Sequence, residues 1–274
     1  HQLVARGIAP LMALGMLDKL DLAAHPIHSG LSHHLQIEAM KLAFADTYRW
    51  VAQESFMRHV STADLLSDVY LSERVRLIDP LRASHFQHGT PPRGGTIYLS
   101  AADESGMMVS LIQSSYMGFG SGIVVPGIGV SLQNRGKGFT LESGHPNQVL
   151  GGKRPFHTII PGFLTRGGQP KMAFGVIAPL VLPQGHLQAL VRMLTHCQQP
   201  QAACDAPRWK VGAGLSIDCE PTMDPALVQG LRDRGHQVEA HGDTYMDFGA
   251  GQFVWRLSDD LDDGYVAASD SRRD

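Results

Sequence analysis

Thr96 follows two glycines, Gly94 and Gly95, and opens an alternating run that turns at Glu104-Ser105-Gly106. A threonine hydroxyl is a weak nucleophile that needs a base beside it, and an N-terminal threonine can use its own α-amino group. Cutting the peptide bond between Gly95 and Thr96 would create that base. Gly95 suits such a cut, because without a Cβ it takes strained backbone angles and leaves its carbonyl open to the Thr96 hydroxyl. Threonine also simply favours strands, and the local sequence leaves both explanations open.

Other spacings carry less. His33, His34 and Glu38 could place two metal ligands on one helical face, since side chains four residues apart stack, and His85 with His88 could do so on a loop. With fourteen histidines in the chain, such coincidences are easy, so surface or helix-packing roles are favoured and no metal is expected. Gly118-Phe119-Gly120-Ser121-Gly122 resembles a phosphate cradle, but no helix follows it, and a turn between strands is the better reading. There is no Gly-x-Ser-x-Gly elbow, no dinucleotide fingerprint after a strand and no phosphate loop. Cys197, Cys204 and Cys219 show no Cys-x-x-Cys spacing and imply neither a disulfide framework nor a zinc site.

The elements that must position Thr96 come next. With 274 residues, 43% of them hydrophobic, the chain can bury a core. A net charge of −3 with interspersed signs gives no phosphate-tracking face, so nucleic acid is not an expected partner. No apolar run reaches the ~18 residues of a membrane span, and the start, His1-Gln2-Leu3-Val4-Ala5-Arg6, is not a signal peptide. The compartment stays open, with cytoplasm favoured over periplasm. A first residue other than methionine hints at a missing N-terminal portion.

Up to about Leu81 the apolar period is helical: Ile8, Leu11, Met12 and Gly15 share a face, as do Ile37, Met40, Phe44 and Tyr48. A third helix is expected over 63–78, with Ser61-Thr62 as cap candidates and Asp79-Pro80 as its end. Residues 82–95 read as an exposed loop or linker, the place where the chain would be cut. From Thr96 the period becomes two. Runs 96–102 and 107–114 form a hairpin, and 122–125 and 128–132 read as short strands around Pro126-Gly127. The hairpin arms are apolar on both faces, which implies a sheet covered on each side. A strand over 171–176, helices over 183–196 and 225–234, and strands near 237, over 252–257 and over 265–268 complete an α/β pattern of strands enclosed by helical layers. Segments 1–95 and 96–274 are expected to form one domain together.

Several collinear motifs resemble the γ-glutamyltransferase family. They are Gln36-Ile37-Glu38-Ala39-Met40-Lys41-Leu42-Ala43-Phe44-Ala45-Asp46, Thr96 with Asp103, Gly106 and Ser110 behind it, Phe119-Gly120-Ser121-Gly122, Lys153-Arg154-Pro155, Ala206-Pro207-Arg208 and Ser269-Asp270-Ser271-Arg272-Arg273. The resemblance runs from about Gly7 to the end. Gln113-Ser114-Ser115-Tyr116, Leu132-Gln133-Asn134-Arg135-Gly136 and His157-Thr158-Ile159-Ile160-Pro161-Gly162-Phe163 look closer to its acylase-like bacterial branch than to the glutathione-processing enzymes. The resemblance implies an N-terminal-nucleophile hydrolase, a four-layer αββα sandwich, here incomplete at its N-terminus, made as a zymogen that cuts itself before Thr96. Residues 1–95 would then be the end of a large subunit and 96–274 a small subunit.

The same resemblance assigns roles. Thr96 would attack a small amide and form an acyl-enzyme that water or an amine resolves, with no cofactor. Ser114 matches a hydroxyl that hydrogen-bonds the nucleophile. Tyr116, Asn134, Arg135, His157 and Thr158 fall on substrate-binding positions. His157 and Thr158 replace a serine pair that holds the substrate carboxylate, Tyr116 replaces an asparagine, and Gly138 replaces the acid that pairs with the substrate α-ammonium. Losing that acid leaves a buried ammonium unpaired, which is costly, so a free γ-glutamyl head group fits poorly. Arg135 favours a carboxylate through a forked contact; a structural hydrogen bond in a tight loop is equally open to it. Where relatives carry an oxyanion-binding Gly-Gly pair, this chain has Ala178-Pro179, and proline has no N–H to donate. Two expectations follow. The first is a self-cleaving amidohydrolase or acyltransferase, associated with the missing large-subunit portion or with a second copy. The alternative is an uncleaved, impaired family member acting as a scaffold or binding protein.

Overall fold

A computed structural model describes residues 7–58, 60–86, 97–177, 182–242 and 248–273. In chain order the helices and strands are α1 (Ile8–Leu17), α2 (Gly30–Trp50), α3 (Thr62–Leu65), α4 (Asp68–Val75), β1 (Ile97–Ala102), β2 (Met108–Gln113), β3 (Gly162–Arg166) and β4 (Gln169–Ile177). They continue as α5 (Leu182–Leu190), α6 (Pro200–Asp205), β5 (Trp209–Val211), β6 (Ser216–Cys219), α7 (Pro225–Arg232), β7 (Gln237–Ala240), β8 (Ala250–Arg256) and β9 (Tyr265–Ser269). They group into two compact units. One comprises His1–Pro91, Asn134–Thr158 and Pro207–Gly242; the other comprises Pro92–Gln133, Ile159–Ala206 and Asp243–Asp274.

The first unit is built around α2. Ser29 caps its start by accepting the Ser32 N–H at 3.1 Å, satisfying one of the donors a helix N-terminus leaves open. Residues 32–44 are all buried because α1 and α7 both pack against the helix. The mixed sheet β5-β6-β7, antiparallel then parallel, lies beside α7. The single helix expected over 63–78 is two helices. Ser61 forms a capping box with Asp64 at the start of α3, and Ser67 starts α4 afresh by accepting the Tyr70 N–H while its hydroxyl donates to the Asp64 carbonyl. A second cap in mid-run outweighs the apolar period. Residues 82–86 are not a bare linker either, since Ala83 is buried and the Ser84 N–H donates to Glu38 at 3.0 Å.

The second unit is layered. Antiparallel β1 and β2 form a two-stranded sheet, and β3-β4-β8-β9 form a four-stranded antiparallel sheet. Alternation along β4 sets its two faces. Gly175 faces β1, where a Cβ would lie 2.4 Å from the Tyr98 ring. Phe174 and Val176 point the other way, toward His186 and Gly185 of α5. The close approach of Gly185 brings α5 onto the sheet, where a Cβ would meet Val176 at 2.5 Å. The closing motif anchors the last strand: Asp270 accepts the Gly251 N–H at 2.8 Å and pairs with Arg272, which donates to the Cys204 and Ala206 carbonyls at the end of α6.

Two expectations are corrected here. The hairpin is covered on one face only: Tyr98 and Ser110 face β4, while Ile97, Leu99, Val109 and Leu111 are 43–72% exposed. Residues 122–132 form no strands; one bridge joins Val124 and Ser131, because Pro126 and left-handed Gly122, Gly127 and Gly129 interrupt the extended backbone.

His186 gives this core an acid sensitivity. Its Nε2 accepts the Val176 N–H at 3.1 Å, so the acceptor nitrogen carries no proton, and burial holds the pKa down at about 3. His236 in the first unit is also held at about 3, by burial and then by the charges of His34, Lys41 and Arg234. Both folded values lie below the ordinary 6.5. The stability they contribute is therefore complete above pH ~6.5 and drains away as pH falls toward ~3, at about 1.4 kcal/mol per pH unit for each histidine. Urea unfolding is expected to show this slope between pH 6.5 and 4, and His186→Gln is expected to reduce it. An unchanged slope in the variant contradicts the assignment.

Candidate active site

Gly95 and Thr96 lie outside the described residues, and so do Ala178 and Pro179. The described chain resumes at Ile97 and ends before the second pair at Ile177. Ile97 opens β1 and pairs with Gln113, the last residue of β2, so Ser114 is the residue that leaves the neighbouring strand beside the one following Thr96. The Ser114 Oγ accepts the Tyr116 N–H at 3.0 Å. Tyr116 is buried and left-handed, with φ of 79°. A non-glycine residue there costs about 1–2 kcal/mol, and such strain concentrates at functional sites. The following Gly118-Phe119-Gly120-Ser121-Gly122 is a turn: Gly120 has φ of 76°, and a Cβ on it would sit 2.4 Å from the Leu132 carbonyl. Ser121 and Ser131 hydroxyls close it by donating to the Leu132 and Phe119 carbonyls.

The other residues to which the resemblance assigns substrate binding lie in the first unit. Asn134 precedes a 3-10 turn over Arg135–Gly138. Arg135 and Thr158 are both buried, and an Arg135 guanidinium nitrogen donates to the Thr158 Oγ1 at 2.6 Å. Thr158 keeps its own O–H to donate elsewhere. Burial, and then the Arg135 charge, lowers the His157 pKa below the ordinary histidine range, so at neutral pH its imidazole is an uncharged donor. A guanidinium and a hydroxyl thus meet in a buried contact, with an uncharged imidazole on the adjacent residue. Thus Arg135, His157 and Thr158 gather in one unit, and Ser114 with Tyr116 in the other.

The histidine spacing led elsewhere. The His33 ring bonds the Ile27 carbonyl at 2.9 Å. His34, Glu38 and His236 bring ligand atoms within 4.8 Å of one another; His236 is 202 residues from His34 and escaped notice in the sequence. His34 Nε2 donates to the Asp79 carbonyl at 2.8 Å, so its Nδ1 accepts the His236 Nε2–H at 2.7 Å. The Lys41 ammonium already sits 2.6 Å from Glu38, both fully buried, and Ser84 holds the other carboxylate oxygen. Both Glu38 oxygens and both His34 ring nitrogens thus have protein partners. His88 lies outside the described residues. No described helix is long and apolar enough to cross a membrane.

Known proteins match along the whole chain. The profile of the gamma-glutamyltranspeptidase family fits residues 2–274. The glutathione hydrolase-like YwrD proenzyme of Bacillus subtilis is 31% identical over 246 residues, covering 87% of this chain and 46% of that protein. The oxamate amidohydrolase proenzyme of Klebsiella pneumoniae is 32% identical over 243 residues, covering 87% and 45%. The crystal structure of a cephalosporin acylase from Bacillus halodurans superposes with a TM-score of 0.86 at 42% identity, covering 98% of this chain and 48% of that one. The chain spans about half the length of the curated relatives it matches. These likenesses bear out the expected α/β fold of the N-terminal-nucleophile hydrolases. With its fold, its collinear motifs and the profile match in agreement, the chain belongs to the gamma-glutamyltranspeptidase family.

Proposed function

We propose that this chain serves a self-processing N-terminal-threonine amidohydrolase or acyltransferase, cut between Gly95 and Thr96, whose acyl group carries a carboxylate. The Thr96 Oγ attacks the amide carbon while the freed α-amine takes its proton; the C–N bond breaks and the amine leaves with that proton. Water or an acceptor amine then attacks the ester, releasing the acyl group and restoring the Thr96 hydroxyl. Ser114, held by the Tyr116 N–H, donates to the nucleophile. The relatives are named as proenzymes, which supports cleavage. Because they are about twice as long, association with a large-subunit portion, or with a second copy, belongs to the same reading.

The observation that carries the substrate class is the buried Arg135–Thr158 contact beside His157, together with Gly138 where an ammonium partner would stand. One relative is named for oxamate, an amide that itself bears a carboxylate. The test is release of p-nitroaniline from the mono-p-nitroanilide of glutaric acid and from its methyl ester. The acid is expected to be the better substrate. Arg135→Ala is expected to raise KM for the acid about tenfold to a hundredfold and to leave the ester nearly unchanged. A wild-type protein with no preference for the acid contradicts the reading.

A further inference from the structure

Asn147 lies outside the motifs that carry the family resemblance, is 7% exposed, and uses both ends of its side-chain amide on the segments that carry the carboxylate donors. Its Nδ2 donates to the Gly138 carbonyl at 2.7 Å, at the end of the turn that Arg135 opens. Its Oδ1 accepts the Phe156 N–H at 2.9 Å, one residue before His157. A carbonyl can only accept and a backbone N–H can only donate, so the amide has a single possible orientation.

The main chain around Asn147 is equally committed. Its carbonyl accepts the Thr140 N–H at 3.1 Å, and its N–H donates to the His145 Nδ1 at 3.0 Å. The His145 Nε2 is bonded to the Tyr48 carbonyl at the end of α2 at 3.2 Å. Lys153 fastens the carbonyls on either side, those of Pro146 and Gln148. Asn147 therefore cannot drift, and it transmits a fixed separation to the two loops it joins. Arg135 and Thr158 are 23 residues apart in sequence and meet at 2.6 Å; the amide is a direct bridge between the segments bearing them.

We infer that Asn147 is a positioning residue for the carboxylate site, setting the spacing of Arg135 against His157 and Thr158 and so the preference for an acidic acyl group. This rests on the reading under Proposed function. Only a side chain with a donor and an acceptor on one short stem does this. Asn147→Leu keeps the approximate shape and loses both bonds. Asn147→Asp keeps the acceptor for Phe156 but sets a carboxylate oxygen against the Gly138 carbonyl, two acceptors with no proton between them.

The test uses the full chain with the glutaric mono-p-nitroanilide and its methyl ester, alongside Arg135→Ala. In both Asn147 variants KM for the acid is expected to rise about tenfold with little change in kcat, while kcat/KM for the ester stays within about twofold. A residue that merely holds the fold would lower both substrates together, and that result overturns the inference, as does no change in either. Loss of the folded state in both variants, seen by circular dichroism, overturns it too, because a structural role then suffices. If the wild type hydrolyses neither substrate or both equally, or if Arg135→Ala keeps the preference for the acid, the carboxylate reading itself fails. If Arg135→Ala loses that preference and the Asn147 variants keep it, only this inference fails.

Discussion

Thr96→Ala protein is expected to remain a single 29.7 kDa chain through long incubation and to hydrolyse no amide. Alanine removes the oxygen that attacks the Gly95 carbonyl, so neither the ester intermediate of self-cleavage nor the free α-amine can form. One substitution thus abolishes two activities, each by at least about 10⁴-fold, the scale on which removal of a catalytic nucleophile operates. Thr96→Ser keeps an attacking hydroxyl and is expected to cleave, at a reduced rate. The circular dichroism of Thr96→Ala should match the wild type, because the substitution leaves the described pairing of β1 with β2 untouched. Cleavage at the same bond in Thr96→Ala would place the reaction elsewhere.

The second large effect is a gain. The family resemblance implies a glycine pair at the positions of Ala178 and Pro179, whose N–H groups would help bind the oxyanion. The ends of this connection are fixed here: β4 runs to Ile177, α5 starts at Leu182, and His186 reaches back to the Val176 N–H at 3.1 Å. Proline supplies no N–H, and one missing oxyanion donor lowers rates about 10²- to 10³-fold, roughly 3–4 kcal/mol of transition-state stabilisation. Self-cleavage and amide hydrolysis pass through similar tetrahedral oxyanions, so both should respond. Pro179→Gly alone is expected to speed cleavage about 10²-fold, followed by gel densitometry of the two fragments. Ala178→Gly alone should do less, since alanine keeps its N–H and lacks only easy access to positive φ. If the double variant cleaves no faster than the wild type, the oxyanion is bound elsewhere.

Much of the fold could be read from local chemistry. Ser61-Thr62 ahead of an apolar run announced a helix start, and Ser61 caps it in a box with Asp64. The switch from helical to alternating period marked the hairpin, whose turn is closed by Asp103 accepting the Ser105 and Met107 N–H groups. Periodicity could not see the second cap at Ser67, which divides the expected helix, nor could it weigh left-handed glycines against apolar runs between 122 and 132. It also missed β3, β5 and β6, strands of three to five residues, too short to show an alternating period. Alternation predicted apolar hairpin faces correctly, but covering Leu99 and Leu111 is a matter of what packs on them, and they are exposed.

The site was less legible than the fold. Nothing in the spacing of Arg135 and Thr158 foretells their contact, and nothing in His34 announces His236; long-range pairs are set by topology. The family resemblance pointed to Arg135, His157 and Thr158; of these, Arg135 and Thr158 meet in a buried contact, and the substrate role of all three is part of the proposal. It was silent on Asn147, whose flanking His145-Pro146 offers no signature of an amide that bridges two loops.

The central claim is most directly tested by N-terminal sequencing and intact mass of the purified, unmodified protein. Two fragments, the smaller number of residues upstream and a second beginning Thr96-Ile97-Tyr98-Leu99-Ser100, are the result this account predicts. A chain still intact at 29.7 kDa, or one cut at any bond other than that between Gly95 and Thr96, contradicts it.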